Sequence, residues 1–201
     1  MTRFYIKSLT LIWLSFLFSS VSVCGQEEEA VFEYKNQIST NLLLPIFESF
    51  DLSYERTIAN KWAIGLGGAI YGNSFNELSS ITSNYGTKFD TNYEVTPFVR
   101  IYFQGAQNKS HFVELLGSLS GVEESGRFVR STNSEGFGVY NRENRSLTLG
   151  GLGAGYGYRF LLADKRLVLE AQFGFRTNFD TNFIVLTGAP VRAGIKVGYR
   201  L

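Results

Sequence analysis

The stretch Val191-Arg192-Ala193-Gly194-Ile195-Lys196-Val197-Gly198-Tyr199-Arg200-Leu201 alternates without error. Val191, Ala193, Ile195, Val197, Tyr199 and Leu201 are apolar, and Arg192, Gly194, Lys196, Gly198 and Arg200 separate them. A period of two marks a β-strand with one greasy face and one polar face.

The same rhythm recurs upstream. Residues 36–44 form the first and weakest candidate strand. Residues 47–58 set Phe50, Leu52 and Tyr54 against Asp51, Ser53 and Glu55. Residues 62–71 set Trp62, Ile64, Leu66 and Ile70 against Ala63, Gly65, Gly67 and Ala69. In 91–104, Tyr93, Val95, Val99, Ile101 and Phe103 oppose Glu94, Thr96, Arg100 and Tyr102. In 111–122, Val113, Leu115 and Leu119 oppose Glu114, Ser118 and Ser120. In 149–161, Leu152, Ala154, Tyr156, Tyr158 and Phe160 oppose Gly151, Gly153, Gly155, Gly157 and Arg159. In 166–176, Leu167, Leu169, Ala171, Phe173 and Phe175 oppose Glu170, Gln172, Gly174 and Arg176. With 191–201 the expected strands number eight.

Connections at 59–61, 105–110 and 163–165 are short and polar, whereas 73–90, 123–146 and 177–190 are long. Short turns on one rim and long loops on the other suit a membrane barrel whose short turns face the periplasm. The link around Pro45 is the exception, short yet at the outer rim. The expected fold is all-β: an eight-stranded antiparallel up-and-down transmembrane β-barrel. Composition agrees, with 21 Gly, 18 Phe and 11 Tyr but only 3 Pro in 201 residues. Such a profile favours strands and tight bends over helices.

Residues 1–25 read as a signal peptide, with Arg3 and Lys7 before an apolar run at 9–18. That run is too short for a membrane helix. Cleavage after Gly25 leaves a short acidic segment, 26–35, and a barrel domain, 36–201. Glu27, Glu28 and Glu29 read as a solvated leader, with a cation or basic partner as the alternative. Losing the two basic residues of the leader leaves 17 Lys and Arg against 18 Asp and Glu. A near-neutral chain gives no support for nucleic-acid binding. Cys24 is the only cysteine, and Val23 before it is large for a lipoprotein signal, so no thiol chemistry is expected of the mature chain.

Alternation does not say which face points inward; a soluble barrel would line a pocket with the apolar face. Three features choose the membrane orientation. Trp62, Phe103, Phe112, Tyr158, Phe160 and Tyr199 gather near the short-turn rim, and Phe50, Tyr71, Tyr93 and Phe175 near the other, as interfacial aromatic belts do. The polar face is rich in Gly, which suits a cramped interior. Mid-strand apolar positions carry no charge, and a lipid-facing Lys or Arg there would cost about 2–4 kcal/mol.

The polar face also carries Asp51, Glu55, Glu94, Glu114 and Glu170 with Arg100, Arg159, Arg176, Arg192, Lys196 and Arg200. Inside a narrow barrel these charges must neutralise one another. An interlocked ion-pair core filling the lumen is expected; the alternative is a narrow solute or ion channel lined by them.

Pro97-Phe98-Val99-Arg100-Ile101-Tyr102-Phe103 resembles the Pro-Phe-x-Arg-Tyr-Tyr strand of the small outer membrane protein β-barrel domain family. Asn41-Leu42-Leu43-Leu44-Pro45 and Leu52-Ser53-Tyr54-Glu55-Arg56 resemble the opening strands of related barrels. The resemblance implies an OmpX/OmpA-like architecture of eight strands in the Gram-negative outer membrane, and no catalytic residues. Members usually end in an aromatic that the insertion machinery reads; here Leu201 is last and Tyr199 lies two before it.

Chemistry elsewhere is sparse. His111 is the only histidine, with Ser110 and Glu114 close in sequence. A lipid-modifying enzyme would need such a set, but His111 falls beside a periplasmic turn. The Gly151-x-Gly153-x-Gly155-x-Gly157 run has strand spacing and no following helix, so it is no phosphate loop. Asp90 is a lone carboxylate. No catalytic residue, cofactor or metal site is expected. The long loops remain, where Phe128, Phe137 and Tyr140 stand among adaptable polar groups. They suit recognition of an extracellular protein or glycan, or form an ordinary solvated loop. The expected partners are thus membrane lipid, the insertion machinery and an external protein or glycan, for a monomer with a structural or surface-interaction role. A soluble periplasmic binder is the outside alternative.

Overall fold

The computed structural model describes residues 33–79, 88–180, 183–185 and 191–201. The leader at 1–25 and the glutamates at 27–29 lie outside the described residues. In chain order come β1 (Asn36–Asn41), a 3-10 turn (Leu44–Phe47), β2 (Phe50–Thr57), β3 (Trp62–Ile70), α1 (Asn73–Ser79), β4 (Lys88–Tyr102), β5 (Ser110–Thr132), β6 (Gly138–Leu162), β7 (Leu167–Asp180), β8 (Phe183–Val185) and β9 (Val191–Arg200).

Every sequential neighbour from β1 to β7 pairs antiparallel, β7 pairs with β9, and β9 returns to β1. Eight strands therefore close a ring with no free edge, the arrangement that satisfies all backbone donors without water. β8 is a short outlier that pairs only with the far end of β7. At the seam Gln37 faces Arg200 and Asn41 faces Lys196.

Polarity runs opposite to that of a soluble barrel. In β2 exposure alternates strictly, with Phe50, Leu52 and Tyr54 outward and Asp51, Ser53 and Glu55 buried. Around the ring Leu66, Val95, Leu115, Leu119, Leu152, Phe173 and Ile195 are exposed, and Glu94, Arg100, Glu114, Arg159, Glu170, Arg176, Lys196 and Arg200 are buried. A small apolar cluster of Ala63, Tyr102, Ala106 and Phe112 fills the interior at the short-turn end.

Several expected boundaries move. The first strand ends at Asn41, because Pro45 sits in the first turn of the 3-10 segment and carries the chain off the sheet. The span 123–146 is no loop. β5 and β6 continue as one ladder to Thr132 opposite Gly138, broken by a bulge between Glu124 and Arg127. Its tip is held by Asn133, whose side-chain oxygen accepts the Glu135 and Phe137 N–H groups, with Gly136 at φ 85°. Hydrophobic periodicity cannot reveal such a stem, since polar and charged residues stand on both of its faces. Likewise 73–90 opens with α1 and closes inside β4, and 177–190 contains the end of β7 and then β8. Two aromatics assigned to the belts point inward instead: Phe112 is 1% exposed in the lumen, and Tyr71 turns its hydroxyl to Glu94.

Candidate functional site: the charged lumen

Alternation delivers one inward side chain at the same depth from each of several strands. β2 supplies Glu55, β4 Arg100 and Tyr102, β5 Glu114, β6 Arg159 and β7 Glu170. Arg100 meets Glu55 at 2.7 Å, Glu114 at 2.7 Å and Glu170 at 3.0 Å, and donates to Gln172 at 3.2 Å. Arg159 meets Glu55 at 2.7 Å and Glu170 at 2.6 Å. Each carboxylate has a further donor: Tyr102 to Glu55, Gln37 to Glu170 and Arg192 to Glu114. The guanidinium of Arg100 also lies over the rings of Phe98 and Phe112, and that of Arg159 over Tyr102. Buried charge is tolerated only when paired and hydrogen-bonded throughout, and this cluster meets both conditions.

Below it the β4–β5 turn folds under the ring. Ala106, fully buried, donates its N–H to the Asn60 carbonyl at 2.7 Å. Its own carbonyl accepts from Arg159 at 3.3 Å and from Arg200. Gln107 donates to the Tyr34 carbonyl at 2.7 Å, tying the turn to the segment before β1.

Toward the long-loop end the packing loosens. Arg176 meets Glu94 at 3.3 Å and donates to Ser120 and Asn178, while Tyr71 and Thr96 donate to Glu94, each at 2.9 Å. Burial, with the Glu94 carboxylate adding to it, pushes the phenol of Tyr71, just past the end of β3, well above its usual range, so it stays protonated and donates. Lys196 meets Asp51 at 3.6 Å and donates to Ser53 at 3.3 Å. Asp51 also accepts the Asn41 N–H at 2.5 Å. Between these groups lies a cavity of about 60 Å³, lined by Asp51, Tyr71, Glu94, Phe98, Arg192 and Lys196 among others. It can hold a few waters at most.

The charged residues singled out in the sequence thus share one interior, although pairing links strands far apart in the ring. Arg192, the least buried, is one-fifth exposed. Sequence reasoning missed Phe98, Phe112, Gln37 and the Ala106 carbonyl. Phe98 lies two residues before Arg100 and Phe112 two before Glu114, so their parity carried the signal. The glycines at 151, 153, 155 and 157 form the bare wall of β6; a Cβ at Gly157 would come within 2.4 Å of the Phe112 ring.

Phe128, Phe137 and Tyr140 lie far along the β5–β6 stem, all exposed and apart from the lumen. The same alternation separates Ser110, His111 and Glu114. Ser110 and Glu114 are buried inside, whereas His111 Nδ1 meets the Tyr156 hydroxyl at 2.6 Å on the outer face. Those three side chains cannot act as one unit. Among the described residues no group of His, Cys, Asp and Glu is arranged to hold a metal ion.

Residues 11–185 match a family model described as "Protein of unknown function (DUF3575)". No curated protein matches the chain. Several solved structures are similar to it. Neisserial surface protein A shares 15% identity over 83% of this chain and 94% of that one, with a TM-score of 0.45. The N-terminal β-barrel domain of OprF from Pseudomonas aeruginosa shares 12% over 84% and 98%, with a TM-score of 0.39. The attachment invasion locus protein Ail of Yersinia pestis, crystallised with the heparin analogue sucrose octasulfate, shares 15% over 85% and 100%, with a TM-score of 0.41.

Proposed function

This chain belongs to the DUF3575 family, and we propose that it is an integral outer-membrane barrel with a surface-interaction or structural role. The lumen acts as a rigid plug rather than a path, and the extended β5–β6 stem is the part displayed outside. One observation carries the reading: apolar side chains cover the outer wall while paired ions fill the inside. In water that outer wall would strand a large hydrophobic surface; in a bilayer that cost vanishes, while the buried ions are held by their pairing with one another. A chain exported by its leader and inserted by the barrel assembly machinery meets lipid on its outer wall and stands as a monomer within the membrane, since the closed ring there leaves no strand edge to share.

The test is fractionation. The protein should leave the envelope only with detergent, and unboiled samples should migrate differently from boiled ones. Recovery in the soluble periplasm without detergent would end the membrane reading. Planar-bilayer recording separates plug from channel: a steady open conductance would contradict the plug, since Arg100 and Arg159 tie five strands together across the lumen.

A further inference from the structure

The β5–β6 stem has two faces of different character. Cross-strand partners share a face. One face pairs Arg127 with Glu143 and Glu124 with Arg145, the latter as an ion pair at 3.7 Å. Here charges cancel. The other face pairs Phe128 with Arg142, Arg130 with Tyr140 and Thr132 with Gly138. Beyond the bulge it holds two guanidinium groups, two aromatic rings and no carboxylate; Glu123 stands on the same side at the base, opposite Ser146. The six residues beyond the bulge are all exposed.

Its local geometry keeps the cations available. Arg142 lies 5.0 Å from the centroid of the Phe128 ring, and Arg130 lies across Gly138, where an added Cβ would meet its Nε at 3.0 Å. Neither arginine pairs with a carboxylate among the described residues. The bare Gly138 gives Arg130 a seat at the tip, and the Tyr140 ring stays 69% exposed. Same-face neighbours along a strand are about 7 Å apart, so rings and guanidinium groups alternate at short intervals along a hydrogen-bonded ribbon.

We propose that this face binds an anionic polysaccharide. Guanidinium groups take carboxylate or sulfate oxygens in bidentate fashion. The negative faces of Phe128 and Tyr140 receive the C–H edges of sugar rings, an amphipathic contact of the kind Tyr supplies in recognition surfaces. Beyond the bulge this face carries a net charge of two against a balanced opposite face, and that sets the sign of the partner. The inference rests on the stem being displayed outside the membrane, and deepens that reading by naming the class of partner.

The experiment uses the full mature chain, refolded in detergent and shown to be a barrel by its gel shift. Binding to immobilised heparin and alginate is measured beside uncharged dextran and a single-stranded oligonucleotide. Heparin and alginate should bind and dextran should not. R130Q/R142Q should weaken binding at least about tenfold, the loss of one good charged contact, and F128S/Y140S should weaken it by severalfold. R127Q/R145Q, on the balanced face, should change it less than twofold. Equal loss in both arginine pairs would reduce the effect to bulk charge and overturn the assignment. So would oligonucleotide binding as tight as heparin binding, or no polysaccharide binding by a correctly shifted barrel. Failure to form the shifted species would instead count against the membrane reading itself.

Discussion

Replacing Arg100 by leucine removes the hub of the lumen. Three carboxylates lose a donor at once: Glu55 at 2.7 Å, Glu114 at 2.7 Å and Glu170 at 3.0 Å. Each keeps one cation, since Arg159 still serves Glu55 and Glu170 and Arg192 still serves Glu114. The loss is therefore that of a broken buried pair rather than of three isolated charges, about 3–5 kcal/mol. Some packing against Phe98 and Phe112 survives, because leucine fills part of the guanidinium stem's volume. With a urea slope of about 2 kcal/mol per M, the midpoint should fall by about 2 M. Trp62 makes this measurable. Trp13 precedes Gln26, so a chain beginning at Gln26 has Trp62 as its one tryptophan, facing outward near the short-turn rim. Its fluorescence in vesicles, followed against urea, reports insertion and unfolding. R100L/E114L should recover part of the loss, because the carboxylate with the more exposed remaining partner is then gone. A midpoint within 0.2 M of the parent for R100L, or no recovery in the double variant, would refute the claim that the lumen is one coupled ionic structure.

Three further outcomes follow from other parts of the barrel. Gly151→Ala should destabilise by about 1–3 kcal/mol, because its Cβ would lie 2.1 Å from the Thr177 carbonyl oxygen. The next-door Gly150→Ala, with nothing within 4 Å, should be neutral or gain about 0.5–1 kcal/mol; the two urea midpoints compared side by side check both. Leu66→Arg, on the outer wall midway along β3, should cost about 2–4 kcal/mol in vesicles. The same change should cost little if the outer wall faced water, so refolding yield in vesicles decides. His111→Ala should leave envelope lipid composition unchanged by mass spectrometry, because Ser110 and Glu114 lie on the other side of the strand wall from His111.

The barrel was readable because lipid and lumen impose opposite demands on successive residues. Wherever a strand crosses that boundary, as in β2, β7 and β9, alternation fixed the face of each side chain. Along the outer parts of β5 and β6 polar residues stand on both faces and the alternation of hydrophobicity stops, so 123–146 read as a loop. Position along the strand was equally hidden. Phe112 and Tyr71 were placed by nearness to a rim, yet parity sends both inward, Phe112 on the side of Glu114 and Tyr71 on the side of Ala63 and Ala69. The ion-pair partners were not readable at all. Glu55 meets Arg100 and Arg159 because the tilt and stagger of the ring bring β2, β4 and β6 to one level, a property of the closed sheet and not of any one strand. The Ala106 carbonyl was beyond reach for the same reason, since backbone of a turn leaves no side-chain signature.

The seam between β1 and β9 has a consequence for biogenesis. Until the final ten residues are synthesised and exported, two raw margins of hydrogen-bonding backbone stay open, one at each end of a nearly finished wall. Either can zip onto a stranger. A truncation that deletes Val191–Arg200 therefore yields not a weaker cylinder but an open, sticky ribbon, with Glu170 of β7 deprived of its β9 neighbour Lys196 and Asn41 of β1 deprived of the same partner.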